Sequence, residues 1–223
     1  SCGEGAEAWQ GRRIVALPQN AFGGFAEYAI CPTIGAFAMP DEIALPDAAA
    51  LYFPFHLAWI GLHDRAKLQA GESVLIHAAA GGAGSAAIQL AKNAGARVFA
   101  TASSEAKLEF CRELGADVVL LDDDEYPKML PDVTNGTMPK LALNSIGGQS
   151  AYRLCKTLGQ GGSHVTFGAM TGEPTRVPTR FLIFNDIRLT GFWVTRWLEE
   201  AGPETMQAIY SKVFDLFRTG ILR

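Results

Sequence analysis

The residues best suited to chemistry in this chain form one glycine-rich run. It reads Val74-Leu75-Ile76-His77-Ala78-Ala79-Ala80-Gly81-Gly82-Ala83-Gly84. Within it, Ala79-x-Gly81-x-x-Gly84 has the spacing of a dinucleotide-binding turn, with alanine in the first position. Each position has a physical task. Ala79 keeps the turn small. Gly81 lets the backbone approach a pyrophosphate. Gly84 lets the following helix pack closely. A helix beginning near Ala83 points free N–H groups and the positive end of its dipole at the phosphates. The same run also reads as a packing turn between strand and helix. The apolar strand before it and the helix after it favour cofactor binding.

The end of the next strand selects the dinucleotide. NAD enzymes place Asp or Glu there for the ribose 2′-hydroxyl, about 20 residues beyond the first glycine. This chain has Thr101-Ala102-Ser103-Ser104, with no acid. Lys107 follows one turn into the helix and would favour a 2′-phosphate. Ser103 and Ser104 can donate to it. Glu105 opposes this reading, although a carboxylate in a first helical turn also simply suits the dipole. Lys107 also reads as an ordinary solvated lysine. NADPH is therefore expected over NADH.

Other reactive residue types are scattered. Cys2, Cys31, Cys111 and Cys155 make no C-x-x-C pair and no Cys/His ligand spacing. That excludes the usual structural zinc signatures and suggests no disulfide framework, so a reducing, cytoplasmic setting is expected. His56, His63, His77 and His164 each read as satisfied structural histidines, and no metal is expected. The acidic run Asp122-Asp123-Asp124-Glu125 reads as a solvated loop and helix start. Charge is balanced, 19 Lys+Arg against 23 Asp+Glu, and no basic block exceeds two residues. This argues against a nucleic-acid partner. Apolar stretches are broken well short of about 18 residues, so no membrane span is expected.

These residues need a scaffold. Residues 13–17, 24–30 and 35–39 read as short strands ended by prolines. Residues 46–68 read as helix in two pieces around Pro54. From Gly71 the pattern alternates. Strands are expected at 73–77, 98–101, 118–121, 141–144, 165–167 and 187–193. Helices are expected at 84–93, 104–114, 149–158 and 203–219. Gly95 and Gly115 are helix stops of the left-handed kind. Six strands alternating with helices predict an α/β fold with a doubly wound parallel sheet, covered on both faces.

His77-Ala-Ala-Ala-Gly-Gly-Ala-Gly-Ser-Ala-Ala-Ile-Gln-Leu-Ala-Lys92 resembles the zinc-independent branch of the medium-chain dehydrogenase/reductase superfamily, particularly its quinone oxidoreductases. Leu143-Asn144-Ser145-Ile146-Gly147-Gly148, Val165 to Met170, Leu182-Ile183-Phe184 and Gly191-Phe192-Trp193 look more like the trans-2-enoyl thioester reductases. The resemblance implies a Rossmann domain inserted in a GroES-like β domain. Residues 1–45 would be the end of that β domain. Residues 46–223 would hold the linking helix and the Rossmann domain. The rest of the catalytic domain would lie outside these residues, with the tyrosine that group uses as proton donor or substrate-orienting group. Tyr28 and Tyr52 do not sit in its motif, so no catalytic residue is assigned.

The resemblance also implies a site. Gly81, Gly82 and Ala83 would hold the pyrophosphate, and Ser103, Ser104 and Lys107 the 2′-phosphate. Asn144 and Phe167, Gly168, Ala169 and Met170 would lie at the carboxyl edge. Phe192, Trp193 and Val194 would approach the nicotinamide, the aromatic pair reading equally as core or dimer packing. The expected activity is that of an NADPH-dependent oxidoreductase. It would reduce activated C=C bonds of enoyl thioesters or enones by hydride transfer to the β-carbon. A quinone oxidoreductase is the nearest alternative. A non-catalytic NADPH-binding or structural protein, or one module of a larger synthase, is the alternative of another kind. A homodimer through the sixth strand is implied.

Overall fold

A computed structural model describes residues 2–19 and 23–223. By internal packing it separates into two units, residues 1–53 with 194–223, and residues 54–193. The sequence pattern places the helix expected at 203–219 with the dinucleotide fold. Here it groups with the N-terminal segment.

The N-terminal unit starts with an antiparallel pair, β1 (Ile14–Ala16) and β2 (Ala36–Ala38), in register Val15 to Phe37. Arg13 ties the chain beyond β2, its guanidinium donating to the carbonyls of Pro40 and Ile43 at 3.1 and 2.7 Å. The strand expected at 24–30 does not form. Those residues turn and bend, with Phe25, Tyr28 and Ile30 exposed. Alternating apolar residues stay a strand only where a neighbour takes up their backbone groups, and here β1 pairs with β2 instead.

Helix α1 (Leu45–Trp59) follows and passes through Pro54 without breaking. Proline removes one N–H from the ladder. Burial of Leu51, Tyr52, Phe55 and Ala58 keeps the helix intact around it. A π-helical turn, Ile60–Arg65, ends it.

The larger unit carries the sheet: β3 (Ser73–Ile76), β4 (Arg97–Ala102), β5 (Val118–Leu121), β6 (Leu141–Asn144), β7 (Ser163–Thr166) and β8 (Arg188–Gly191). All neighbours are parallel, in the order β5-β4-β3-β6-β7-β8. The order reverses between β3 and β6, which is where such sheets open a ligand crevice at their carboxyl ends. Between the strands run α2 (Gly82–Asn93), α3 (Glu105–Glu113), α4 (Tyr126–Val133), α5 (Gly148–Thr157) and α6 (Thr179–Phe184). Leu75, Phe99 and Ala142 pack with Tyr126, Leu130 and Leu154 to form the core on the α4 and α5 side.

Helices α4 and α6 were not expected. The first holds Pro127 and Pro131 in eight residues, the second is six residues long, and buried Tyr126, Leu130 and Phe181 anchor them. The last strand is shorter than 187–193 and exposed along its length, as an edge strand. Helix α7 (Val194–Arg218) starts well before Pro203, with a kink at Gly202, φ 75°. Val194 therefore opens a helix and does not end a strand.

In the N-terminal unit Tyr52 stacks on Tyr210, with centroids 5.1 Å apart, and Phe37 lies 4.1 Å from Tyr210. The Tyr52 hydroxyl donates to the Gly35 carbonyl at 3.0 Å, and burial pushes it up to about 12. It serves packing within this unit. Among the described residues no helix is long and apolar enough to cross a membrane.

Candidate cofactor site

The turn after β3 sets the site. Ala78 takes a left-handed conformation, φ 52°, and Gly81 caps α2 in extended conformation. The helix begins at Gly82, two residues before the expected start. No side chain caps it, so the N–H groups of its first turn are available to an anion. Gly84 is packed against the turn. A Cβ there would lie 2.6 Å from the Ala78 carbonyl oxygen and 2.7 Å from Ala79 Cα. At Gly81 a Cβ would stand 3.3 Å from the same oxygen. Gly84 thus closes the turn and Gly81 keeps its outer side open.

A cavity of about 600 Å³ lies over this turn at the carboxyl edge of the sheet. Small-molecule sites fall in this size range. Of the expected residues, Gly81, Gly82, Ala83, Ser103, Lys107, Phe167, Gly168 and Met170 line it. The Lys107 ammonium donates to Ser103 Oγ at 3.1 Å. Ser103 and Lys107 are therefore held as a pair on the cavity wall. Glu105, the objection to a phosphate here, is turned elsewhere: its carboxylate accepts from both Arg112 guanidinium nitrogens at 3.1 Å.

Ser104 does not line the cavity; it is the N-cap residue of α3. Asn144 does not line it either. It is fully buried, and its Oδ1 accepts from the N–H groups of Ile146 and Gly147 at 2.9 and 3.2 Å. It shapes the loop that brings Ser145 and Ile146 to the cavity. That loop is bonded to the one after β7, through Met170 N–H to Ser145 O and Thr171 N–H to Ile146 O at 3.4 and 3.1 Å. Gly168 permits this approach, since a Cβ there would fall 2.5 Å from the Ser145 oxygen. Ala169 is exposed outside the lining. Phe192 stacks on Phe167, centroids 5.9 Å apart and 25° between planes, and so backs the wall. Trp193 is 70% exposed and does not line the cavity, and Val194 belongs to the other unit.

Among the titratable lining residues, sequence reasoning missed His77 and Asp122. Asp122 is not part of a solvated run. Its Oδ2 lies 2.9 Å from His77 Nε2, and its Oδ1 accepts from Arg153 at 3.0 Å. Burial raises the Asp122 carboxyl, but the hydrogen bond and charge of His77 and the charge of Arg153 outweigh it and hold it below its ordinary range. Asp123 accepts from the Glu125 and Tyr126 N–H groups at the entry to α4. The visible signal was an aspartate at the end of a strand two places from the glycine turn.

Among the described residues, no group of three or more His, Cys, Asp or Glu could hold a metal ion. The four cysteines are unpaired. Cys155 Sγ lies 3.4 Å from His164 Nδ1, and burial pushes its thiol up to about 11, so this pair offers no thiolate.

The sequence pattern described as zinc-binding dehydrogenase matches residues 82–212. The mitochondrial enoyl-[acyl-carrier-protein] reductase of Dictyostelium discoideum is 30% identical over 213 residues, covering 92% of this chain and 60% of that protein. The human protein of the same name is 31% identical over 212 residues, with 92% and 57% covered. This chain thus spans about three fifths of the length of these relatives. Among solved structures, Escherichia coli quinone oxidoreductase complexed with NADPH superimposes with a TM-score of 0.85 at 25% identity, covering 95% of this chain and 65% of that one.

Proposed function

The chain belongs to the zinc-binding dehydrogenase family and, with enoyl and quinone reductases for relatives, to the zinc-independent branch of the medium-chain dehydrogenase/reductase superfamily; from that premise we propose that it binds NADPH and serves in the reduction of activated C=C bonds, with 2-enoyl thioesters or enones as substrates. One observation carries the cofactor choice. The cavity joins a glycine turn at a helix N-terminus to a Ser103–Lys107 pair, and no carboxylate stands at the end of β4. The open side of Gly81 is a cradle that a side chain would narrow. These residues fit a dinucleotide bearing a 2′-phosphate.

In this reading Gly82 and Ala83 hold the pyrophosphate through backbone N–H groups, Gly81, whose own N–H donates to the Ala78 carbonyl at 3.0 Å, gives it room to approach, and Lys107 and Ser103 hold the 2′-phosphate. Asn144 and Gly168 keep the two loops together that bound the other end, and Phe192 supports Phe167. NADPH supplies the hydride; the protein's task is orientation. The substrate class rests on the names of the relatives. A quinone substrate is the second reading, favoured by the structural likeness to the NADPH-bound quinone oxidoreductase.

The test is cofactor titration by fluorescence on the full-length protein. Lys107→Ala is expected to weaken NADPH binding about 10- to 100-fold, the loss of one charge-assisted bond of about 1.5–3 kcal/mol. NADH binding is expected to stay within about twofold. Equal losses for both cofactors would remove the 2′-phosphate assignment. NADPH binding without turnover of enoyl thioesters or quinones would favour the non-catalytic role.

We also propose a homodimer through β8, whose residues are exposed along an unpaired edge. Such edges invite pairing with another chain. Sedimentation at micromolar concentration is expected to give a dimer, and Leu189→Pro, which removes a donor from the edge, a monomer. A wild-type monomer would end this proposal. Four unpaired cysteines suit a reducing compartment, and we propose the cytoplasm; fractionation tests it.

A further inference from the structure

A carboxylate is an odd lining for a cavity that receives phosphates, and Asp122 lines this one together with Ser103 and Lys107. Phosphate and carboxylate repel, so the part of a ligand that lies against Asp122 must offer a hydrogen-bond donor. Strand order says which part that is. Strand β5 is the outer neighbour of β4, and β4 is the neighbour of β3. Ser103 and Asp122 stand level, one position beyond the paired Ala102 and Leu121, and the Asp122 N–H donates to the Ala102 carbonyl at 2.9 Å. From the glycine turn outward, the carboxyl edge therefore presents the start of α2 after β3, Ser103 after β4 and Asp122 after β5.

NADPH laid along that edge follows the same order. Its pyrophosphate lies at the turn and its 2′-phosphate at Ser103 and Lys107. Adenine is bonded to the ribose carbon next to the one that bears this phosphate. Neighbouring strands lie about 4.8 Å apart, so the base falls at the end of β5. Its ring nitrogens accept hydrogen bonds, and its exocyclic amine donates. The 3′-hydroxyl is the other donor of this half, but it sits on the pyrophosphate side of the ribose, nearer the turn.

Asp122 is held ready to accept. Its Oδ1 accepts from Arg153 at 3.0 Å, and its Oδ2 lies 2.9 Å from His77 Nε2. These contacts fix where the carboxylate points. It is held below its ordinary range and is ionised at neutral pH. An ionised carboxylate has about four acceptor sites, so both oxygens keep capacity for a further donor. The side chain is 21% exposed and so remains open on one side.

We propose that Asp122 is a specificity residue for the base of the dinucleotide: its carboxylate accepts from the exocyclic amine of adenine and rejects a base with a carbonyl oxygen in that place. This rests on the NADPH reading. A site built around a hydrogen bond rejects a ligand that lacks it, because its own polar group is left unpaired. Here the carboxylate would also face an oxygen of like partial charge.

The experiment is fluorescence titration of the full-length protein with NADPH and with its deamino analogue, in which hypoxanthine replaces adenine and the phosphates and nicotinamide are unchanged. The wild type is expected to bind NADPH about tenfold more tightly or better, the worth of one charge-assisted hydrogen bond. Asp122→Asn keeps the shape of the side chain and presents both an acceptor and a donor. It is expected to bring the two dinucleotides within about threefold of each other. Equal affinity of the wild type for both would overturn the proposal without any variant. So would an Asp122→Asn protein that weakens both equally and keeps the wild-type ratio, the result of a carboxylate that only ties β5 to Arg153. Failure of the wild type to bind either dinucleotide would overturn the NADPH reading itself.

Discussion

Replacing Gly84 by alanine is expected to abolish dinucleotide binding and to destabilise the larger unit by about 3 kcal/mol, the upper range for overpacking. The added Cβ would sit 2.6–2.7 Å from three backbone atoms of Ala78 and Ala79. No rotamer relieves a clash with main chain, so the helix must move off the turn. The turn is already constrained, since Ala78 is left-handed and Ala79 is buried with its N–H bonded to the Thr101 carbonyl at 2.9 Å. A domain of this size loses about 2–4 °C in Tm per kcal/mol, so thermal unfolding should shift by about 6–12 °C. Gly81→Ala is the comparison. Its φ is −77° and its nearest contact 3.3 Å, so stability should change little while affinity falls. A Gly84→Ala protein that melts with the wild type and binds NADPH normally would show that α2 does not need this approach.

Acidification is expected to cost on the order of 6 kcal/mol by about pH 4, enough to unfold a domain of ordinary stability. Burial, with a smaller part from the charge of His77, pushes His164 down to about 4. Burial alone pushes His56 down to about 3. Both rings are therefore held neutral in the folded state. The unfolded chain protonates them near the ordinary value of about 6.5. Their contribution is complete above that pH and is lost as pH falls from there toward the folded values. Each unit of displacement corresponds to about 1.4 kcal/mol. Asp122, held below its ordinary range, adds a further loss only at lower pH. Urea midpoints measured from pH 7 to pH 4 would test this, with His164→Asn expected to flatten the profile. A midpoint that is level from pH 7 to pH 5 would contradict the assignment.

Much of the site was legible because the turn is a local object. Spacing, small residues and the strand-to-helix setting fall within a dozen residues, and Gly84 packs the helix against the turn as its spacing implied. Ser103 and Lys107 were legible for the same reason, being one helical turn apart. Asn144 stands at the carboxyl end of β6 as expected, but its part in shaping the following loop was not foreseen. Its place at a strand end is a matter of sequence, but its side chain turns back to its own loop. Glu105 could not be judged without knowing that Arg112, two turns on, takes its carboxylate.

By itself the sequence determined the β/α alternation, the parallel six-stranded sheet and the glycine turn at its centre. Period, helix-stopping glycines and turn size act between near neighbours, and near neighbours are what a sequence lists. Only the tertiary structure decided which strands became edges, that residues 24–30 formed turns and bends instead of a strand, and that α1 survived its proline. It also decided that Asp122 leaves solvent for His77 and Arg153. Those three residues are 45 and 31 positions apart in the chain, and their pairing depends on strand order and burial, which no local pattern specifies.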